Sequence, residues 1–330
     1  MAADQQSRSV SADRLSVASG TEHHVRGYLL IASAALCWGA AATLGKAVFN
    51  GSFFGGRTAI DPVILAQSRT SFSLLVLAPV LLIAQGARAL RISRRDFVMS
   101  VTVGIVGIAG SNFFYYFAIQ KSTVATAITV QYTAPVWVLF YLVARGQQRA
   151  TLKRIAAVVM ALFGSMLVVG VGSSAGLKLG SIGVLAALGA AFTYAFYNVG
   201  ASGLVQRRPS WLVMLYAMLG SVLFWLVANP PWKIWAQQYS AKQRAFLAAF
   251  AMISMLLPFN LYFAGLKYLD PTRAVVTSCL EPVFVIVFAA TFVSEKIGAL
   301  QICGMALVLT ATWLIQMPER HTRTNRRRCG

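Results

Sequence analysis

Charged residues are scarce in this sequence. Asp, Glu, Lys and Arg together make up 12% of its 330 residues, whereas hydrophobic residues make up 58% and the mean hydropathy is +0.67. A soluble domain averages about 25% charged and about 45–50% apolar residues. The low charge therefore excludes an ordinary soluble domain and predicts a protein of the lipid bilayer.

The groups on which most enzymes depend are also few. All three histidines lie near the chain ends, the nine acidic residues form no close pair, and the four cysteines lack the paired spacing of a metal site. General acid–base catalysis and metal binding need such groups close together. We therefore expect no enzyme, no metal and no cofactor, and the absence of GxxxxGK[ST] excludes a P-loop ATP motor. A membrane-embedded transferase is the alternative from another functional class.

The net charge of +20 would indicate a nucleic-acid partner in a soluble protein. In this sequence the basic residues gather in the short stretches between long apolar runs. Basic residues at such positions set the orientation of a membrane protein. The charge balance therefore predicts a membrane topology and no nucleic-acid partner.

Ten apolar segments follow one another along the chain, each near the roughly 20 residues that a helix needs to cross a bilayer. They cover residues 28–49, 62–85, 97–119, 123–144, 153–172, 179–203, 211–231, 245–266, 272–293 and 297–316. They lack the alternating pattern of an outer-membrane barrel. The sequence thus predicts an all-α membrane protein with ten transmembrane helices.

The distribution of Lys and Arg predicts the orientation. With the amino terminus in the cytoplasm, 20 of these residues fall on the inner side and 7 on the outer side. This bias places both termini in the cytoplasm of a multi-pass protein of the cell inner (plasma) membrane. Residues 1–26, which are polar and small, are predicted to form a disordered cytoplasmic tail. Residues 318–330 are predicted to form a basic cytoplasmic tail.

A sequence repeat divides the chain into halves. YFAIQKSTVATAITVQYTAPVWV begins at Tyr116 and YFAGLKYLDPTRAVVTSCLEPVFV at Tyr262, a spacing of 146 residues. Each copy straddles the third and fourth crossings of its half. Because five crossings is an odd number, two five-helix repeats, 27–172 and 178–317, are predicted to have opposite orientations in the membrane. Inverted repeats of this kind are a recurrent transporter architecture.

These features resemble the drug/metabolite transporter superfamily, EamA type. The resemblance is carried by Leu-Cys-Trp-Gly-Ala at 36–40, the Pro62–Arg69 segment, the two repeat blocks and Glu295. The sequence departs from the family in having Ser294 before that glutamate, where a glycine is frequent, and Gln147-Gln148 where the first half would have a glutamate. The resemblance implies a secondary exporter of small amphipathic metabolites such as amino acids. An importer or an exchanger is the alternative.

Two charged residues lie well inside apolar segments. Glu281 directly precedes Pro282, and an ionised carboxylate at such depth costs roughly 2.5–3.5 kcal/mol on insertion scales. The interpretations are a contact with a substrate cation or a proton, which would make the protein proton-coupled, or a structural partner in Arg69 or Lys46. Arg69 itself either extends its long side chain towards the helix end or binds a substrate carboxylate.

Polar and aromatic residues at depth are the remaining candidates for a substrate pathway. Each alone is explained as well by packing, but as a group they predict a water-filled cavity, because buried amides and phenols need hydrogen-bond partners. The candidates are Trp38, Asn112, Tyr115, Tyr116, Gln131, Tyr132, Tyr194, Tyr197, Asn198, Asn260 and Tyr262. Pro135, Pro258 and Pro282 interrupt predicted helices and are either gating hinges or fixed bends.

Overall fold

The structure is a computed structural model that describes residues 23–45, 60–122, 124–169, 181–293 and 297–317. Its described residues form helices and no strands. Lys46, Glu295, most of the amino-terminal tail and the whole basic tail lie outside the described residues. The predictions made for them are therefore not tested.

Ten helices in the described part of the chain are long and apolar enough to cross a membrane. They are α1 His23–Gly45, α2 Val63–Ala89, α3 Arg94–Lys121, α4 Thr126–Ala144, α5 Leu152–Val169, α6 Ser181–Val205, α7 Ser210–Ala228, α8 Ala241–Gly265, α9 Pro271–Phe292 and α10 Ala299–Gln316. A short helix, Pro231–Ala236, follows α7. The predicted all-α membrane protein with ten spans is confirmed, and the cytoplasmic location of the termini stays a prediction.

Several helix ends differ from the hydropathy prediction. The seventh segment was predicted to reach residue 231, but α7 ends at Ala228 because Pro230 and Pro231 cannot continue its hydrogen bonding. Two helices begin earlier than predicted because a serine caps a polar first turn. Ser93 caps α3, and Ser240 forms a capping box with Gln243 at the start of α8.

α3 and α8, the third helix of each half, share an unusual feature. Each contains a π-helical stretch in its middle, Val103–Ala109 in α3 and Met252–Leu256 in α8. Such stretches are rare and are frequent at functional sites. The recurrence of the same distortion five helices apart is what two related five-helix halves would produce.

α4 and α9, the next helix of each half, are both broken in the middle. The first part of α4 ends at Gln131 and the second begins at Ala134, while in α9 the corresponding residues are Ser278 and Glu281. Broken helices at membrane depth occur where the backbone is buried in protein or faces a water-filled space. The breaks therefore mark the part of the fold in which a site is expected.

The three predicted hinge prolines lie at these irregular points. Pro135 and Pro282 are each the second residue after a break, and Pro258 is the second residue after the π-helical stretch of α8. All three are buried. Proline fits the first turn of a helical segment, where its missing N–H has no intrahelical partner to lose. Their role as gating hinges stays a prediction.

The two halves pack against each other through glycines. A Cβ built on Gly107 of α3 would lie 2.4 Å from the Cβ of Tyr197 of α6, and one built on Gly104 would overlap the carbonyl group of Ala217 in α7. α5 and α10 are in similarly close contact. Small residues allow such close approach of helices in lipid. The two halves therefore form one interlocked bundle.

Candidate substrate site

Glu281 is the first residue after the break in α9, and it lies at the centre of the candidate site. It lies in the interior of the bundle, and its side chain is half-buried. It lies beside Tyr132, the residue at the break in α4, and within electrostatic range of Arg69 in α2. Glu281 also interacts electrostatically with Tyr115 and Tyr194. These five residues define the candidate substrate site.

α1 lies close to the start of the second part of α9 at a glycine. A Cβ built on Gly39 would lie 2.7 Å from the Cβ of Phe284 and 3.2 Å from the carbonyl oxygen of Glu281. Only glycine fits this contact without displacement of α1 or α9. The neighbouring Trp38 packs edge-on against Phe259 at 5.3 Å between ring centroids, and it is half-buried. Trp38 thus forms an aromatic wall on the α1 side of the bundle.

Arg69 is held against α3 by a hydrogen bond. Its Nη2 donates to the Oδ1 of Asn112 at 2.8 Å, and the Nδ2 of Asn112 donates to the carbonyl oxygen of Ile108 at 2.7 Å. Within the described residues, the buried Nε of Arg69 has no hydrogen-bond partner, and no carboxylate forms an ion pair with its guanidinium. This arginine therefore retains donor capacity in the interior of the bundle.

Two further contacts connect the helix breaks to the neighbouring helices. The Nε2 of Gln131 donates to the Oγ of Ser111 in α3 at 3.1 Å. The hydroxyl groups of Tyr194 in α6 and Ser278 in α9 are 3.1 Å apart. Gln131 and Ser278 are the last helical residues before the two breaks, so equivalent points in the two halves are both tied by polar contacts.

Four predicted pathway residues are buried in packing contacts. Tyr262 donates a hydrogen bond to the Oδ1 of Asn198, whose Nδ2 donates to the carbonyl oxygen of Tyr194 at 2.8 Å. Tyr262 and Asn198 are fully buried, and Tyr116 and Tyr197 are also buried. These four residues are packed in the interior of the bundle. The other nine candidates are half-buried: Glu281, Arg69, Trp38, Asn112, Tyr115, Gln131, Tyr132, Tyr194 and Asn260.

Asn260 stands apart from the site in its contacts. Its Nδ2 donates to the carbonyl oxygen of Leu256, in its own helix, and among the described residues it has no hydrogen bond to another helix. The structure therefore gives it no link to Glu281 or Arg69. Its predicted place in the pathway stays a prediction.

Ser111 and Ser278 contact site residues but were not among the candidates predicted from the sequence. Serine is common in transmembrane helices, and nothing in its local sequence distinguishes one that contacts a site. The repeat supplies a signal for Ser278, because the alignment of the two blocks, with one extra residue in the second, places it opposite Gln131. No comparable signal identifies Ser111. The described residues also contain no group of three His, Cys, Asp or Glu side chains arranged to hold a metal ion.

The sequence matches the EamA-like transporter family twice, over residues 25–170 and over residues 181–317. The chain belongs to the EamA-like transporter family. Each match contains five of the ten helices, so the EamA unit is duplicated along the chain. Membership confirms the resemblance seen in the sequence and indicates a membrane transporter rather than an enzyme.

Two relatives of this EamA chain are matched over almost their whole length, and both carry transporter names. An uncharacterized inner membrane transporter of Salmonella typhimurium, YicL, is 22% identical over 299 residues, which are 89% of this chain and 96% of that protein. An uncharacterized transporter of Archaeoglobus fulgidus is 22% identical over 292 residues, 88% of this chain and 98% of that protein.

Among the solved structures that resemble this EamA chain is a crystal structure with a TM-score of 0.70 and 19% sequence identity. The match covers 88% of this chain and 96% of the other. At this identity the likeness supports the fold alone. Together with the ten apolar helices, it supports a multi-pass helical bundle.

Proposed function

We propose that this protein is a secondary exporter of small amphipathic metabolites that carry both an ammonium and a carboxylate group, such as amino acids, across the inner membrane. The observation that carries this proposal is the pair of opposite charges at the candidate substrate site. Arg69 and Glu281 interact electrostatically, yet no ion pair joins them. A solute with two opposite charges fits between such groups.

Arg69 is proposed to bind the carboxylate of the solute. Its guanidinium is anchored by Asn112 through one nitrogen, and its Nε has no hydrogen-bond partner among the described residues. A guanidinium binds a carboxylate through two parallel hydrogen bonds. The anchored orientation would reduce the loss of side-chain freedom on binding.

Glu281 is proposed to bind the ammonium group or a proton. A charge at this depth is costly unless it is paired or in contact with water, and the half-buried position supports access from the pathway. Tyr115, Tyr132 and Tyr194 around it would supply hydroxyl groups and aromatic faces, which attract cations. Competition between a proton and the solute at one carboxylate would couple export to the proton gradient. Exchange of two solutes is the alternative source of energy.

The proposed route runs between two inverted repeats, 27–172 and 178–317, with both termini in the cytoplasm. The paired breaks in α4 and α9 support this arrangement, because the breaks lie at equivalent points of the two halves and Tyr132 and Glu281 adjoin them. Pro135 and Pro282 after the breaks, and Pro258 in α8, would let the helices bend as access alternates between the two sides of the membrane.

The test begins with excretion from intact cells. Cells that overproduce the protein are compared with cells that overproduce Arg69→Gln or Glu281→Gln, and amino acids in the medium are measured by mass spectrometry. We expect each variant to lower the excess excretion by about tenfold, the effect of losing one hydrogen bond to a charged group. Arg145→Gln and Asp61→Asn are the matched controls, because both residues are exposed near helix ends.

Vesicles made with purified protein then separate the competing functions. Flux of the excreted amino acid without chemical change identifies a transporter, and a modified product would identify the transferase. Net uptake by cells in place of excretion would identify an importer. Excretion of solutes with no charged group, unaffected by the two variants, would contradict the proposed substrate class.

A further inference from the structure

A cavity lies far from Glu281 along the chain, where α2 ends and α3 begins. It has a volume of about 430 Å³, and its lining includes Leu90, Arg91, Arg94, Phe97 and Tyr216. We call it the α2–α3 pocket. None of its residues belongs to the candidate substrate site, and the proposed export reaction does not use it.

Backbone and aromatic contacts give the α2–α3 pocket a fixed shape. The hydroxyl group of Tyr216 in α7 donates to the carbonyl oxygen of Leu90 at 2.6 Å, which ties the end of α2 to α7. The ring of Phe97 packs edge-on against that of Tyr216 at 5.1 Å between centroids. Just before the pocket, Gly86 has a φ of 75°, a conformation that favours glycine and turns the chain out of its helical path.

The charge at the α2–α3 pocket is positive and not neutralised. Arg91 and Arg94 are exposed, and neither has a carboxylate partner among the described residues. Asp96, the acidic residue nearest to them in sequence, is already engaged, because the Nε of Arg208 lies 2.7 Å from its Oδ2. Two guanidinium groups beside an otherwise apolar and aromatic lining form a site for an anion.

The surface beside the α2–α3 pocket is apolar and exposed. Ile83 of α2 is 85% exposed, and Leu82 of α2 and Val98 of α3 are also exposed. In a membrane-spanning helix, exposed aliphatic side chains face lipid tails. An exposed apolar helix surface next to basic residues is what the boundary between lipid tails and lipid head groups would require.

We propose that the α2–α3 pocket binds an anionic phospholipid. Arg91 and Arg94 contact its phosphate, Phe97 and Tyr216 border the glycerol region, and an acyl chain lies along Ile83. Basic pockets between transmembrane helices on the cytoplasmic side bind anionic head groups, and the proposed orientation places this end of α2 there. A soluble phosphate compound would share the arginines but would gain nothing from the apolar surface.

The binding is tested with purified protein in detergent micelles, to which phosphatidylglycerol or phosphatidylcholine is added. Lipid retention is measured by native mass spectrometry. We expect phosphatidylglycerol to be retained preferentially, and the double variant Arg91→Gln/Arg94→Gln to bind it about tenfold more weakly. The matched control is Arg145→Gln/Arg149→Gln, which removes the same charge from exposed arginines between α4 and α5. Unchanged thermal unfolding in phosphatidylcholine verifies that each variant is folded.

Three results would overturn the proposal. Equal retention of the two lipids by the unmodified protein would remove the preference for an anion. An equal loss in the two double variants would indicate a general effect of positive charge and no specific pocket. Competition by glycerol 3-phosphate at the same concentration as the lipid would assign the pocket to a soluble phosphate compound. Amino acid export from cells is scored separately, so the lipid site and the proposed function can fail independently.

Discussion

The Nη2 of Arg69 donates a 2.8 Å hydrogen bond to the Oδ1 of Asn112, joining α2 to α3 beside the candidate substrate site. The other end of the Asn112 amide is fixed by the carbonyl oxygen of Ile108, which lies in the π-helical stretch of α3. The distorted backbone of α3 is thereby connected to the one arginine that we propose to bind a solute carboxylate. A neutral partner orients Arg69 without neutralising its charge.

Replacing Asn112 with aspartate would remove that neutrality. Asn112→Asp has nearly the same shape, so we expect the protein to fold, but its carboxylate would pair with the Arg69 guanidinium and compete with the solute. Excretion of amino acids by overproducing cells should fall by about tenfold, as for Arg69→Gln. Asn260→Asp makes the same substitution at an asparagine that has the same contact with its own helix and no contact with Arg69, so it measures the cost of the added charge alone. Excretion that survives Asn112→Asp would contradict the carboxylate-binding role.

Removing the Glu281 carboxylate tests proton coupling. In vesicles loaded with the excreted amino acid, flux through the unmodified protein should increase when a proton gradient is imposed. Glu281→Gln should abolish that dependence, because glutamine has the shape of a protonated glutamate and cannot exchange a proton. Counterflow with no gradient measures whether the variant still moves solute. A flux that responds equally to the gradient in both proteins would show that Glu281 is not the coupling residue.

A control for that experiment removes a carboxylate away from the candidate substrate site. Asp61 caps α2 by accepting hydrogen bonds from the backbone N–H groups of Val63 and Ile64. Asn is an equally good cap, so Asp61→Asn changes charge with little effect on the helix. Its flux should keep the full dependence on the proton gradient.

The sequence was sufficient to predict the ten spans and the twofold repeat. Both depend on information local in the chain, namely apolar length and the recurrence of the Tyr116 and Tyr262 blocks. The helix ends were predicted less well, because the polar first turns after Ser93 and Ser240 are helical but not hydrophobic. Hydropathy reports where the chain is apolar, and capping decides where a helix starts.

The partners of the site residues could not be predicted, and three asparagines show why. Asn112, Asn198 and Asn260 all donate to the carbonyl oxygen four residues earlier in their own helices. Asn112 also accepts from Arg69 and Asn198 from Tyr262, whereas Asn260 has no second partner among the described residues. The rotation of each helix about its axis decides which asparagine meets a second partner, and this rotation is set by packing across the whole bundle.

Asp270 joins two arginines at the start of α9, and its removal should be costly. Its carboxylate caps α9 through the N–H of Arg273 at 3.0 Å, and it lies 3.2 Å from the Nε of Arg273 and 3.8 Å from the Nη2 of Arg154 in α5. Asp270→Ala should lower the free energy of unfolding by about 2 kcal/mol or more, measured from thermal unfolding in detergent.

Two variants separate the cap from the charge at Asp270. Asp270→Asn keeps a capping side chain and should lose only the ion-pair part. Ser240→Ala removes a cap with no ion pair, at α8, and should cost about 1 kcal/mol. If Asp270→Asn unfolds at the same temperature as the unmodified protein, the two arginines do not depend on the charge of Asp270.

The contact between α5 and α10, the last helix of each half, depends on two facing glycines. A Cβ built on Gly164 would lie 2.8 Å from the carbonyl oxygen of Gly304, and one built on Gly304 would lie 2.7 Å from that of Gly164. Backbone atoms cannot move aside as a flexible side chain can, so alanine at either position must push the helices apart. Each single variant should lower the free energy of unfolding by about 1–3 kcal/mol.

The Gly164→Ala/Gly304→Ala double variant tests whether the two glycines form a single contact. Because both substitutions disrupt one contact, the first should already separate the helices, and the double variant should cost less than the sum of the single variants. Gly203→Ala in α6 is the matched control. Outside the adjoining backbone of its own helix, no atom lies within 4 Å of the added Cβ, so this variant should stabilise the helix by about 0.5–1 kcal/mol. Fully additive costs at positions 164 and 304 would contradict a direct contact between the two glycines.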